Sequence, residues 1–426
     1  MMEKKELITV DRAILHIDAN SYYASVECLH HPELHGKAVA VGGDAEARHG
    51  IILSVMPPAK RCGVKVGEAL WQARQKCPEL IILPPHFDQY LRFSRLMRGI
   101  YREYSPQVEP FGLDEAWVEI TGTPKLEKLG AAGVAEEIRL RVKAELGITV
   151  SVGVSFNKVF AKLGSDYKKP DAVTVFGRED IEEKVWPLPA SDLLYVGRAT
   201  EKKLLRYGIR SIGQLAQTPP EYLQRWLGKW GLILSSFARG LDNSPVAADG
   251  ETGLMKSIGN STTMPRDLKT EQDASIVLWM LCESVAERLR ENGFLGRTVQ
   301  ISLRSDKLSW TERQKRPPSP VCTAAALHET AMELLSSEGA AVFPLRSIGV
   351  RACELVPARS PRQVSLFESE EKRVQRETLE RTVDDIRRRF GHFSVNRAIA
   401  LLDPTLTNLD ARSEHVIHPV GFFKAV

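Results

Sequence analysis

Short apolar runs with strand character alternate with helical segments from Ala13 to about residue 176, and the alternation returns between residues 256 and 356. Between these blocks, residues 177 to 240 read as short helices only, cut by Pro187, Pro189, Gly197, Gly208 and the Pro219–Pro220 pair. This order predicts an α+β multidomain chain. In the first block, Ala13 to Ile17 is a strand ending at Asp18. Asn20 or Ser21 then caps a helix through Tyr22, Tyr23, Val26 and Cys28. Further expectations are a strand over Val39 to Val41, a helix over Ala69 to Lys76, and a helix over Tyr90 to Tyr104 that buries Leu91, Met97, Ile100 and Tyr101. A strand from Leu113, a helix over Ala132 to Leu146 and a strand over Ile148 to Val154 follow. The last block predicts a β-α-β-β-α-β order, with helices near 272–291 and 323–337. There Val299, Ile301 and Leu303 alternate with Thr298, Gln300, Ser302 and Arg304, giving one buried and one open face. Pro245 to Gly250 reads as a linker. Lys372 to Phe390 reads as a helix burying Leu379, Val383, Ile386 and Phe390.

A chain of 426 residues has room for two to four domains. Its 43% hydrophobic and 26% charged content is that of a globular protein with real cores. A net charge of +4 permits a nucleic-acid partner without demonstrating one. Cys28, Cys62, Cys77, Cys282, Cys322 and Cys353 are spread with no C-x-x-C pair, so the spacing suggests buried reduced thiols, not a zinc site or a disulfide framework. The start, MMEKKELITVDR, lacks a signal peptide's apolar core, and no apolar run approaches the roughly 18 residues that span a bilayer. The expectation is a cytosolic protein without membrane contact.

The chemistry concentrates in a few stretches. "VEPFGLDEAWVEI" (108–120) sets two adjacent carboxylates, Asp114 and Glu115, in a strand that is otherwise mostly apolar. Buried without partners they would cost several kcal/mol. With Asp18 they form a set suited to two Mg²⁺ ions about 3.5 to 4 Å apart, provided the chain bends so that neighbouring side chains converge. An acidic pair on an exposed strand edge is the competing reading. Lys158, Lys162, Lys168 and Lys169 stand against one acid, Asp166, and could grip a triphosphate or form a solvated helix face. Leu194 to Ile209 has the form of a helix-hairpin-helix, whose turn at Gly197 would offer backbone N–H groups to a DNA phosphate; an ordinary helical turn is the alternative. Six basic residues between 296 and 316 (Arg297, Arg304, Lys307, Arg313, Lys315 and Arg316) suit either a phosphate-binding sheet face or a solubilising one. His30, His31 and His35 around Pro32 read as a polar surface loop.

Five ordered stretches together resemble the Y-family DNA polymerases of the DNA polymerase IV branch. They are "ILHIDANSYYASVE" (14–27), "AKRCGVKVGEALWQARQKCP" (59–78), "VEPFGLDEAWVEITG" (108–122), "SVGVSFNKVFAKLGSDYKKPD" (151–171) and "KSIGNSTTMPRDL" (256–268). The resemblance implies a right-hand polymerase. Its palm would comprise residues 1–21 and 87–176, small fingers 22–86, a helical thumb 177–248, a β-α-β-β-α-β little finger 256–357 and a tail 358–426. It implies a translesion enzyme of low fidelity without a proofreading domain, working in the bacterial cytoplasm as a DNA-associated monomer. Two Mg²⁺ ions would be held by Asp18, the Ala19 carbonyl, Asp114 and Glu115. Tyr22 and Tyr23 would line the nucleotide site, with Tyr23 as the steric gate against a ribose 2′-OH, and Lys60 and Lys169 would meet the triphosphate. Gly197, Arg297, Arg304 and Arg313 would contact primer–template DNA.

The chain departs from the family pattern in places. Pro57 and Lys60 stand where Tyr and Arg are usual, so the bidentate fork is lost. Asn20 replaces a frequent acid, Gly112 a common serine, and Arg198 the second hairpin glycine. "QVSLF" (363–367) resembles a sliding-clamp docking motif, with Gln363, Ser365, Leu366 and Phe367 as its contacts. Rival readings are a homologue that binds DNA without chemistry and a palm-domain nucleotidyl cyclase.

Overall fold

The computed structural model describes residues 12–43, 50–250, 255–339, 342–360 and 369–407, which fall into two compact units. The first covers the described residues to 250 apart from Gly50, and the second the residues from 255 onward. Among the described residues no helix is long and apolar enough to cross a membrane.

The first unit begins with β1 (Ile14–Ala19), α1 (Tyr22–Leu29), β2 (Val39–Gly42), β3 (Ile52–Val55), α2 (Pro57–Arg61), α3 (Leu70–Lys76), β4 (Ile81–Leu83) and α4 (Phe87–Arg102). β5 (Val108–Pro110), β6 (Glu115–Glu119), α5 (Pro124–Leu146), β7 (Val150–Ser155), α6 (Lys158–Tyr167) and β8 (Val173–Phe176) follow. A five-stranded sheet runs β5-β6-β1-β7-β8, and a small sheet runs β3-β2-β4. β1 lies antiparallel between β6 and β7, which explains why its burial is continuous: both edges and both faces are covered. Leu15 and Ile17 point into a core with Met97, Ile138, Val118 and Val152. α6 rests directly on the opposite face because Gly153 has no side chain; a Cβ there would lie 1.9 Å from the Ala161 carbonyl. Asn157 caps α6 by accepting from the Phe160 N–H at 2.8 Å.

Several expected elements shift. β6 starts at Glu115, and residues 111–114 form the bend. Ser21 precedes α1 with φ +49° but its side chain makes no capping bond, and Asn20 bonds to Ser151 and Thr149 instead. The helix expected from Ala132 starts at Pro124 and is interrupted at Gly130 (φ +68°). Leu91 is half-buried, whereas Met97, Ile100 and Tyr101 are buried as expected. β3 and β4 add two short strands that were not expected. The linker is tied down: Glu109 accepts from the Ala247 N–H, Lys158 donates to the Pro245 carbonyl, and Asp249 pairs with Arg102.

The rest of the first unit is helical: α7 (Arg198–Arg206), α8 (Ile212–Gln217), α9 (Pro220–Leu227) and α10 (Lys229–Ala238) bury Leu204, Ile212, Leu215, Leu223 and Leu234 together. The segment 194–196 just before Gly197 is not helical, and a 3₁₀ turn at Ala190–Asp192 precedes it, so the expected hairpin lacks a full first helix.

The second unit has the predicted order: β9 (Ser257–Leu268), α11 (Glu271–Glu291), β10 (Phe294–Ser305), β11 (Trp310–Lys315), α12 (Ala324–Glu338) and β12 (Leu345–Pro357). Its sheet runs β11-β10-β12-β9, with Val299, Ile301 and Leu303 buried in one core with residues of both helices. α13 (Glu370–Phe390) and α14 (Pro404–Thr407) complete it.

α13 exists, but its apolar residues do not form its buried stripe: Val383 and Ile386 are half-buried. Leu379 is 64% and Phe390 67% exposed, while Glu380, Asp384 and Arg387 are buried. The reason is a pair of ions on α11 and a backbone N–H at the start of α12. Arg290 donates to both Asp384 oxygens (2.7 and 2.8 Å) and to Glu380 (2.5 Å). Glu380 also accepts from the Ala324 N–H at the start of α12 (2.9 Å), and Glu283 takes Arg387 (2.9 Å) and Arg397 (2.6 Å). Charged residues at helical spacing can therefore be the buried stripe.

Candidate active site

The carboxylates meet because of strand register. Asp18 is the direct partner of Glu115 across β1 and β6, and the Ala19 N–H donates to the Asp114 carbonyl at 3.0 Å. Glu115 and Trp117 share the α6 face of the sheet with His16 and Asp18, as strand alternation requires. Asp114 escapes that alternation because it lies in the bend, beside Ser94, Arg98 and Tyr101 of α4.

Two lysines balance this charge. Lys162 Nζ lies 2.6 Å from Glu115, 3.6 Å from Asp18 and 3.5 Å from Asp166. Lys169 Nζ lies 2.9 Å from Asp18 and 2.7 Å from Asp166. Burial pushes the Asp114 carboxyl up, and the charges of Asp18 and Glu115 add to it, to about 7. Burial also acts to raise Glu115, but His16 and Lys162 overcome it and hold that carboxyl well below the usual range. Burial lowers the Lys162 ammonium, yet Glu115, Asp166 and Asp18 outweigh it and raise it.

His16 is fully buried, with Nδ1 2.8 Å from Ser165 Oγ and Nε2 3.4 Å from Glu115. It lies behind Glu115. Burial and the nearby Lys162 lower its pKa.

The donor set fits a hard divalent cation. Asp18 and Glu115 offer converging oxygens, with His16 behind them, and the negative charge gathered around Asp114 is what a cation would relieve.

The expected nucleotide residues divide. Tyr23 stacks on Tyr90 (centroids 4.3 Å apart, 15° between planes), with Phe87 edge-on at 5.8 Å. Tyr22 is buried and donates its hydroxyl to the Tyr90 carbonyl at 2.5 Å, so it braces this cluster and does not line an open site. Lys60 feels the charges of Lys169 and Asp18, which puts it in the same field; burial lowers its pKa. Of the lysine group, Lys158 is a buried brace, bonded to Glu109 at 2.7 Å with its ammonium 4.5 Å from the Trp117 ring centre.

Gly197 is exposed at the start of α7. The basic residues of β10 and β11 do not form one face. Arg304 pairs with Trp310 on the open side, its guanidinium 5.3 Å from the ring centre. Arg313 opposes the buried Ile301 and pairs with Glu338 of α12 at 2.6 Å. Arg297 falls on the same side by alternation, and Lys315 pairs with Glu333 at 2.8 Å. Arg351 was not among the expected residues; it opposes Gln300 on the open side, and the alternation of β12 could have revealed it. His16 was unassigned and Lys162 was read as a triphosphate grip or a solvated helix face; its pairing with Glu115 and Asp18 follows only from the approach of α6 to β1. Gln363, Ser365, Leu366 and Phe367 lie outside the described residues.

A mixed sheet carrying converging carboxylates, followed by a helical segment and a separate β-α-β-β-α-β unit, is the α+β architecture of a right-hand polymerase. A Y-family DNA polymerase chimera of known structure superposes with a TM-score of 0.70, covering 81% of this chain and 99% of its own at 20% identity. The impB/mucB/samB family model matches residues 17–166 and that family's C-terminal domain residues 255–366; a model described as the DNA polymerase-iota thumb domain matches 191–242. DNA polymerase IV of Acetivibrio thermocellus is 48% identical over 93% of this chain and all of its own length. DNA polymerase IV of Moorella thermoacetica is 38% identical over 93% and 98%. The chain belongs to the impB/mucB/samB family, within the DNA polymerase IV branch of the Y-family polymerases. It is a translesion-type, DNA-directed DNA polymerase that acts on primer–template DNA and dNTPs and depends on a divalent metal.

Proposed function

We propose that Asp18, the Ala19 carbonyl, Asp114 and Glu115 hold two Mg²⁺ ions for nucleotidyl transfer to the primer 3′-OH. The observation that carries this reading is the in-register pairing of Asp18 with Glu115 beside a half-buried Asp114 whose carboxyl is raised by desolvation and by both of them. Bound metal supplies a lowered pKa at the attacking hydroxyl and charge neutralisation at the leaving pyrophosphate. The chain's own groups do the remaining work. His16 and Lys162 keep Glu115 ionised. Lys169 and Lys60 supply positive charge for the triphosphate, Lys60 as a point charge without the fork of an arginine. The Tyr23 ring, held by Tyr90 and Phe87, excludes a ribose 2′-OH.

In this reading residues 1–21 and 87–176 are palm, 22–86 fingers, 177–248 thumb and 256–357 little finger, working as a monomer of low fidelity in the bacterial cytoplasm. DNA contacts come from the α7 N-terminus at Gly197 and from Arg297, Arg304 and Arg313. Arg304 is the best supported of the three arginines, because it shares the open sheet face with Arg351. Gln363, Ser365, Leu366 and Phe367 dock on a sliding clamp. Primer extension with Asp114→Ala tests the site: incorporation is abolished while primer–template binding is kept, and retained activity would remove Asp114 from it. In the same assay, replacing Leu366 and Phe367 by Ala leaves basal synthesis intact and ends stimulation by the clamp; equal stimulation would refute the docking.

A further inference from the structure

Two cysteines that sequence spacing keeps apart come together in the first unit. Cys62 closes α2 and Cys77 closes α3, and Glu79 follows in the turn before β4. The two sulfurs and a Glu79 carboxylate oxygen all lie within 4.8 Å of one another. Cys77 is buried, whereas Cys62 and Glu79 are exposed, so the cluster opens to solvent on one side. Glu79 makes no hydrogen bond or ion pair among the described residues. The Cys62 thiol makes a long contact to the Pro58 carbonyl, 3.6 Å, and interacts with Cys77.

We propose that Cys62, Cys77 and Glu79 bind a thiophilic divalent cation of the zinc class, with water as the fourth ligand. Zinc–sulfur bonds of about 2.3 Å at a tetrahedral angle place two sulfurs ~3.8 Å apart, so closing the sulfur pair needs a movement of no more than about 1 Å. Two thiolates select a soft metal, and the carboxylate completes three protein ligands. A disulfide would use the two sulfurs and leave the convergence of Glu79 unexplained. Each thiol releases its proton to solvent on binding. The backbone around the site is already restrained: Lys76 Nζ donates to the Gly63 carbonyl at 3.2 Å and pairs with Glu68, and the Leu80 N–H donates to the Cys77 carbonyl at 3.0 Å. A bound ion would tie the end of α2, two residues beyond Lys60, to the end of α3.

The test is titration of the reduced full-length protein with Cd²⁺ under excess Mg²⁺, which occupies hard oxygen sites. The readout is thiolate-to-metal charge-transfer absorption, which only a sulfur-bound ion gives. The expected result is a band saturating at one equivalent, lost in Cys62→Ser and in Cys77→Ser. Glu79→Gln keeps the band with affinity at least about tenfold weaker, and Cys353→Ser leaves it unchanged. Because Cys62 is exposed, its serine variant tests the site without disturbing the core. No band, a band surviving Cys62→Ser, or loss of both thiols to a disulfide without metal uptake would overturn the proposal.

Discussion

Lys162 Nζ sits 2.6 Å from Glu115 Oε2, on a helix that reaches the sheet only because Gly153 has no side chain. This ammonium does for the carboxylates, in the absence of metal, part of what a cation would do. Lys162→Met is therefore expected to lower metal-free stability by roughly 1–3 kcal/mol, since it leaves partly buried carboxylates without their counter-ion. Added Mg²⁺ should raise the melting temperature of the variant more than that of the wild type. Equal melting curves with and without Mg²⁺ would show that Lys162 and metal do not share the carboxylates.

The Tyr23 ring has little freedom to yield, being stacked on Tyr90 and edge-on to Phe87. Tyr23→Ala is expected to reduce the preference for dNTP over rNTP by at least ~10-fold in single-nucleotide incorporation. An unchanged ratio would end the steric-gate assignment.

Helix α13 is held by buried ions, so its attachment should be brittle. Arg290→Met leaves Glu380 and Asp384 without their partner and is expected to cost roughly 3–5 kcal/mol in thermal or urea unfolding of the second unit. A cost below about 1 kcal/mol would mean that α13 adds little to that unit.

His328 stacks on Trp279, whose ring also carries Arg397, with the His328 Nε2 3.0 Å from Ser275 Oγ. Burial, with Arg397 nearby, lowers its pKa to about 4. The folded state refuses a proton that the unfolded chain accepts near pH 6.5, so stability is full above that pH and falls as pH drops towards 4. Replacing His328 by Phe should remove about 1–2 kcal/mol of this acid sensitivity, a figure reduced for the ring's partial exposure. Parallel wild-type and variant stability curves between pH 7 and 4 would contradict it.

Much of this was legible in the residues. The β-α-β-β-α-β order and the buried Val299, Ile301 and Leu303 followed from alternation, because one face of that sheet meets helices and the other does not. The order of Asp18, Asp114 and Glu115 pointed to one site, but the bend that frees Asp114 and the counter-charge of Lys162 depend on α4 and α6 packing against the sheet. Sequence reasoning failed where partners are distant. α13 was oriented by its apolar residues, yet Arg290 and Glu283 on another helix decide its buried face. Arg313 looked like part of one basic face, yet strand parity turns it to Glu338. Cys62 and Cys77 looked unrelated because two helix ends, not a short motif, bring them together.

The central claim is that Asp18, Asp114 and Glu115 share divalent metal, and Mn²⁺ binding reads this most directly. The measurement is electron paramagnetic resonance on the full chain with primer-terminated DNA and the next dNTP, comparing wild type with Asp114→Asn. The account predicts that the variant, still folded and still bound to DNA, loses at least one bound Mn²⁺ or holds it at least ~10-fold more weakly. An unchanged number of ions bound with unchanged affinity would contradict it.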